Sequence, residues 1–101
     1  MKAKLVLKSK TVDAEGFVLE MVLWHLPLTT AERPHGLKYR LYFGDHLGKC
    51  IVRYDNEQGK GDHRHIGEKE ESYFFQTPEK LLQDFFADID RLTHKGGSDE
   101  K

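Results

Sequence analysis

Hydrophobic periodicity changes once along this chain, at Thr77-Pro78, and that change limits what it can fold into. Upstream, apolar residues recur at every second position. In 3–12, Ala3, Leu5 and Leu7 alternate with Lys4, Val6, Lys8 and Lys10; in 37–43, Leu37, Tyr39, Leu41 and Phe43 alternate with Lys38, Arg40 and Tyr42. Period two sends successive side chains to opposite faces of an extended strand, leaving one dry face and one wet. Downstream, Leu81, Leu82, Phe85, Phe86, Ile89 and Leu92 gather on one side of a 3.6-residue period, which predicts an amphipathic helix. Thr77 suits the N-cap, and Pro78 the first helical position, where a missing N–H costs nothing. Gly96-Gly97 marks the helix end, and 96–101 reads as a polar tail. Lys80, Gln83, Asp84, Asp88 and Asp90 are expected on the solvent side.

The remaining segments follow the same logic. Residues 13–16 are turn residues, so 3–12 and 17–26 form a hairpin. In 17–26, Phe17, Leu19, Met21 and Leu23 point one way and Val18, Glu20, Val22 and Trp24 the other; apolar residues on both faces predict a central strand. Pro27 and Pro34 make 27–36 a loop. Gly44 and Gly48 bracket a hairpin connection into a strand over 49–55, whose polar face holds Arg53 and Asp55. With a suitable register, Arg40 and Arg53 share that face. Residues 63–66 pair briefly, 67–71 turn, and 72–76 form a short aromatic strand. Trp24, Phe85 and Phe86 are expected in the core. The predicted fold is α+β: a mostly antiparallel sheet of about five to six strands with one C-terminal amphipathic helix packed on one face, as a single domain over 1–95.

At 101 residues the chain supports one hydrophobic core. A net charge of −1 gives no global electrostatic case for nucleic acid or an anionic membrane, so such contacts need a local patch. No segment approaches the roughly 20 apolar residues of a spanning helix. The opening MKAKLVLKSK has no apolar stretch of signal-peptide length. The single cysteine, Cys50, excludes an internal disulfide and a cysteine-rich zinc site, and predicts a reducing cytoplasm.

Against that background 53–65, RYDNEQGKGDHRH, stands out: nearly free of purely apolar side chains, charge-balanced, and carrying two histidines that titrate near neutrality. Gly59-Lys60-Gly61 offers a turn that could approach an anion, but it lacks the glycine spacing, the Ser/Thr and the helix of a P-loop. Asp62, His63 and His65 have the donor types of a metal site, but no second cluster supports one, and ordinary polar strand-edge residues explain them as well. Cleaving RNA without metal or other cofactor needs a base for the 2′-OH proton, an acid for the leaving oxygen and cations for the charge at phosphorus. His63 and His65 suit acid and base, and Lys60, Arg64 and Arg53 the cations. Asp62 or Asp55 suits orientation of an imidazole, and Tyr42 or Tyr54 stacking on a base. The catalytic candidates are therefore Lys60, Asp62, His63, Arg64 and His65, and the substrate-binding candidates Arg40, Tyr42, Arg53, Tyr54, Asp55 and Asn56. Each also has a plain structural reading, since charge networks hold sheets together. His25, His35, His46 and His94 suggest no role.

KYRLYF, IVRYDNEQGKGDHRH, Glu71-Ser72-Tyr73-Phe74-Phe75 and the helix opener TPEKLLQDF, spread over 37–92, resemble the TumE-type toxins of bacterial two-gene toxin–antitoxin systems. Arg53, Tyr54, Asp55, Asn56, Lys60, Gly61, Asp62, His63, Arg64 and His65 match that family's signature positions. The resemblance implies a small cytoplasmic bacterial protein, neutralised by a helix-turn-helix antitoxin encoded beside it. Ribonuclease activity is expected by analogy with other small toxins. A non-enzymatic module that grips an antitoxin or cellular target through its polar loop is the alternative, and a metal-dependent hydrolase on Asp62, His63 and His65 a weaker one. An RNA substrate and self-association through an exposed sheet edge both stay open.

Overall fold

The computed structural model of the protein describes residues 2–31, 33–57 and 61–94. Six strands precede one helix: β1 (Lys4–Val12), β2 (Val18–His25), β3 (Leu37–Gly44), β4 (Cys50–Asp55), β5 (His63–Ile66), β6 (Lys69–Ser72) and α1 (Pro78–His94). The strands form one sheet in chain order, each antiparallel to the one before it. This is the predicted α+β class. The β1–β2 and β3–β4 turns are closed by side chains as well as backbone. Asp13 Oδ1 accepts from the amides of Glu15 and Phe17, and Asp45 Oδ1 from those of Leu47 and Lys49.

Alternation assigns the two faces. Leu23 pairs with Tyr39, Met21 with Leu41, and Leu41 with Tyr54, so these side chains share one face. That face, with Leu37, Phe43 and Val52, meets Leu81 and Phe85 of α1 to make the core. Leu81 and Phe85 are fully buried, each stabilising the fold by about 1.5–3 kcal/mol. An isolated helix of 17 residues would be marginal in water, so docking on the sheet is what maintains α1. Thr77 Oγ1 accepts from the Lys80 amide, the predicted N-cap.

Three local expectations are corrected. The last strand is Lys69–Ser72 rather than 72–76. Gly67, at φ 62°, tightens the turn so that Ile66 pairs with Lys69; glycine at the first central position is what such a hairpin needs. The sequence KEES has no apolar residue to announce a strand, and polarity suits an edge. The aromatic segment after it instead packs against the core, Tyr73 on Tyr54 and Phe75 on His35 and Tyr39. Phe86 is 42% exposed rather than core. Trp24 lies on the face opposite α1, paired with Lys38, outside the core cluster.

The helix also departs from its expected wet face. Asp88 is buried, accepting from the Tyr54 hydroxyl and from Arg64 Nη1 at 3.1 Å. Asp84 accepts from the Tyr73 hydroxyl at 2.6 Å and Lys80 Nζ at 2.5 Å. Burial alone would raise the Asp84 carboxyl, but Lys80 and Tyr73 together hold it below its usual value. Asp88 lies seven residues after Leu81 and three after Phe85, within the apolar stripe. That spacing was the available signal for its burial.

A candidate acid–base site on the open face of the sheet

The face away from α1 has no second layer among the described residues, and the β3–β4–β5–β6 register assembles a polar cluster on it. Asp55 stands opposite Arg40 on one side and His63 on the other, while Arg53 stands between Tyr42 and His65. His65 in turn faces Glu70. Directly opposed residues in an antiparallel pair project to the same face, so two cross-sheet rows converge.

His63 is buried and both its ring nitrogens face acceptors: Gly61 O lies 3.0 Å from Nδ1, and Asp55 Oδ1 2.6 Å from Nε2. The other Asp55 oxygen lies 3.1 Å from Arg53 Nε. Among the described residues, Asp55 Oδ1 and Arg53 Nε are nevertheless the buried side-chain atoms without a well-directed hydrogen bond. These contacts are close but fall outside hydrogen-bond geometry, so this buried donor and acceptor keep unused capacity.

His65 has the opposite environment. Arg53 Nη2 donates to its Nε2 at 2.7 Å, which marks that nitrogen as the lone-pair side of a neutral ring. Burial pushes the His65 pKa down, and the Arg53 charge pushes it further. The two imidazoles lie 5.2 Å apart, centroid to centroid, nearly perpendicular. Glu70 Oε2 lies 3.4 Å from Nε2 of each. His63, Glu70, Glu71 and Ser72 border an open polar hollow of about 380 Å³. One strand inward on the same face, the Arg40 guanidinium lies over the Tyr42 ring at 5.2 Å from its centroid.

The cluster thus brings together Arg53, Asp55, His63 and His65, flanked by Arg40 and Tyr42. It does not include the other candidates whose side chains are described. Arg64 and Tyr54 are opposite each other on the helix face. There Arg64 binds Glu71, the Tyr54 hydroxyl and Asp88, and the Tyr54 hydrogen bond is the chief reason its pKa is raised. Asp62 turns away from both histidines, to His35 Nε2 at 3.1 Å and the Tyr39 hydroxyl at 2.6 Å. Burial, then Asp62, pushes the Tyr39 hydroxyl up. Asn56 is buried with both ends of its amide on β3 backbone, at Tyr39 N and Leu37 O. Lys60 lies outside the described residues. Glu70 was missed because its strand read as a turn, and His35 because nothing in its loop pointed to Asp62.

Asp55, His63 and His65 offer ligand atoms within 4.8 Å of one another, with Asp55 taking the place expected of Asp62. The donor types suit zinc. Arg53, however, already places a guanidinium between Asp55 Oδ2 and His65 Nε2, and a dication there would have to displace it.

A six-stranded meander backed by one helix, with an acid–base cluster on its uncovered face, defines a small single-helix α+β protein. The family model described as Toxin TumE matches residues 2–93. The chain belongs to that family: it is a toxin, and its family points to an antitoxin as partner. No curated protein and no solved structure matches it significantly. No helix among the described residues is long and apolar enough to cross a membrane.

Proposed function

We propose that this toxin is a metal-independent endoribonuclease acting in the cytoplasm. The observation that carries the reading is the pairing of opposite environments on neighbouring imidazoles: His63 against a carboxylate, His65 against a guanidinium. One imidazole beside a carboxylate and one beside a guanidinium suit an acid and a base. A substrate phosphate would draw Arg53 off His65 and free the Nε2 lone pair. His65 Nε2 then takes the 2′-OH proton as O2′ bonds to phosphorus. As the P–O5′ bond breaks, His63 gives its Nε2 proton to O5′, leaving a 2′,3′-cyclic phosphate and a 5′-hydroxyl. Arg53 balances the charge that builds at phosphorus. Asp55 positions both Arg53 and His63.

The antitoxin that counters it is expected to be a helix-turn-helix protein encoded by the neighbouring gene. Self-association would run through β1, an edge strand with exposed Leu5, Val6 and Val12.

The test is expression of wild type, His63→Ala and His65→Ala in a bacterium lacking the antitoxin, following growth and total RNA together. Growth arrest with RNA loss in the wild type, both absent in folded variants, supports the reading. Arrest with intact RNA moves the assignment to a binding toxin, and full toxicity of both variants removes the site. Cleavage by purified protein that disappears with a chelator and returns with zinc would replace the metal-free route by a metal site on Asp55, His63 and His65.

A further inference from the structure

The open face continues beyond the histidines. Across the β4–β3–β2–β1 register, Asp55 leads to Arg40, Val22 and Lys8, and Arg53 leads to Tyr42, Glu20 and Lys10. Between these rows and the strand end, Val22, Trp24, Lys38, Arg40, Asp55 and Glu57 line a hollow of about 220 Å³. Trp24 is half-buried there, yet it contributes nothing to the core beneath α1. A large aromatic on the solvent side of a sheet, with lysine and arginine at its rim, has the composition of a stacking platform rather than of an interior.

We propose that this hollow holds one base of a single-stranded RNA, adjacent to the linkage cleaved at His63 and His65. The inference rests on the ribonuclease reading and extends it to the substrate's grip. The indole supplies the flat apolar wall. Lys38 and Arg40 flank it as cations for the neighbouring phosphates, and Lys8 and Lys10 extend positive charge onto β1. Glu20 lies 3.8 Å from Arg40 in a half-exposed pair, too loose and too solvated to withhold the guanidinium from an anion. Glu57 can accept from an exocyclic amine of the base. The distance fits a short strand: β2 is two strand spacings from β4, about 10 Å. A nucleotide unit, with a flat base and anionic phosphates at its flanks, matches this arrangement better than a peptide surface would.

Trp24 is the chain's single tryptophan, so its fluorescence reports this hollow and nothing else. The probe is a single-stranded oligoribonucleotide with 2′-O-methyl groups, which removes the nucleophile and prevents cleavage. Titrated into the wild type it should quench the indole. In cleavage of the unmodified strand, Trp24→Ala should raise KM roughly ten- to a hundredfold, the range that loss of one stacked base represents. kcat should be retained, and Trp24→Phe should restore most of the loss. If the wild type cleaves RNA and binds the probe with no quench, and Trp24→Ala leaves KM unchanged, the base site is overturned while the ribonuclease reading survives. If the protein neither cleaves RNA nor binds the probe, both are overturned. Should Trp24→Ala fail to fold, the wild-type quench decides alone.

Discussion

Tyr54 was a candidate for stacking on substrate, and its surroundings give it another role that one substitution can separate. Its ring is fully buried, in edge contact with Phe85 and Tyr73. Its hydroxyl donates to Asp88 Oδ2 and accepts from Arg64 Nη1 at 3.1 Å. Burial, then Asp88, drives the pKa of that hydroxyl up, so it stays protonated wherever the protein is folded. Tyr54→Phe keeps the ring and deletes two hydrogen bonds, the donation to Asp88, worth about 1.5–3 kcal/mol, and the acceptance from Arg64 Nη1, which stays bound to Asp88. The lower part of that range applies, because Asp88 keeps Arg64 on Oδ2 and Arg91 on Oδ1 and no charge is orphaned. A loss of about 2 kcal/mol lowers Tm by roughly 10 °C in a domain of this size. Asp88→Ala removes the shared acceptor of three donors and should cost more, about 3 kcal/mol. Urea unfolding followed by circular dichroism measures both, with growth arrest scored in parallel. Tyr54→Phe should remain toxic at temperatures where it is folded. A cost under about 0.5 kcal/mol would refute the hydrogen bond, and lost toxicity in a folded variant would return Tyr54 to the site.

Asp62→Ala should destabilise by about 2 kcal/mol, since the buried Tyr39 hydroxyl loses its acceptor; retained RNA cleavage would place Asp62 outside the chemistry, and full loss of cleavage at unchanged stability would contradict that. Asn56→Ala leaves Tyr39 N–H and Leu37 C=O without their side-chain partners inside the sheet, for about 3 kcal/mol in chemical denaturation. Gly44→Ala puts a Cβ into the Tyr42 hydroxyl and within 2.9 Å of Lys49 O. It should cost about 1–3 kcal/mol and displace the Tyr42 ring, read as a shifted tyrosine spectrum. The pH profile follows from His65, whose pKa lies below its ordinary value of about 6.5. Cleavage should rise with pH through that lowered value, because the base must be neutral. Stability should fall as pH drops from about 6.5, since the unfolded chain then binds the proton more readily. Arg53→Gln should move the acid limb of the rate profile upward, and an unmoved limb would contradict the Arg53 contribution.

The sheet's two faces were legible because alternation is a short-range signal: Leu23, Leu41 and Tyr54 follow from counting by twos. The same counting separates Arg64 from His63 and His65, a consequence that grouping polar residues by type conceals. What could not be read is register. Whether Asp55 or Asp62 holds His63 depends on where the β4–β5 hairpin closes, and Asp62 adjoins His63 only along the chain. Trp24 was misplaced because size suggests an interior, whereas its position in the alternation beside Leu23 puts it outside. Glu70 and His35 owe their places to pairings between segments that carry no local pattern of their own.

The connectivity also orders events while the chain is being made. Every strand pairs with its predecessor, so the sheet can zip up from local contacts as residues emerge, a fast route with little loop entropy to overcome. The helix follows all six strands, and it packs over the face that carries Leu41, Val52 and Tyr54. Arg53, Asp55, His63, His65 and Glu70 are therefore synthesised, and can be aligned, while the opposite side is still bare hydrocarbon. A nascent chain halted before Pro78 would carry the full acid–base cluster on a sheet too sticky to stay dispersed. Premature termination should yield aggregate, which ties the release of a harmful activity to completion of the polypeptide.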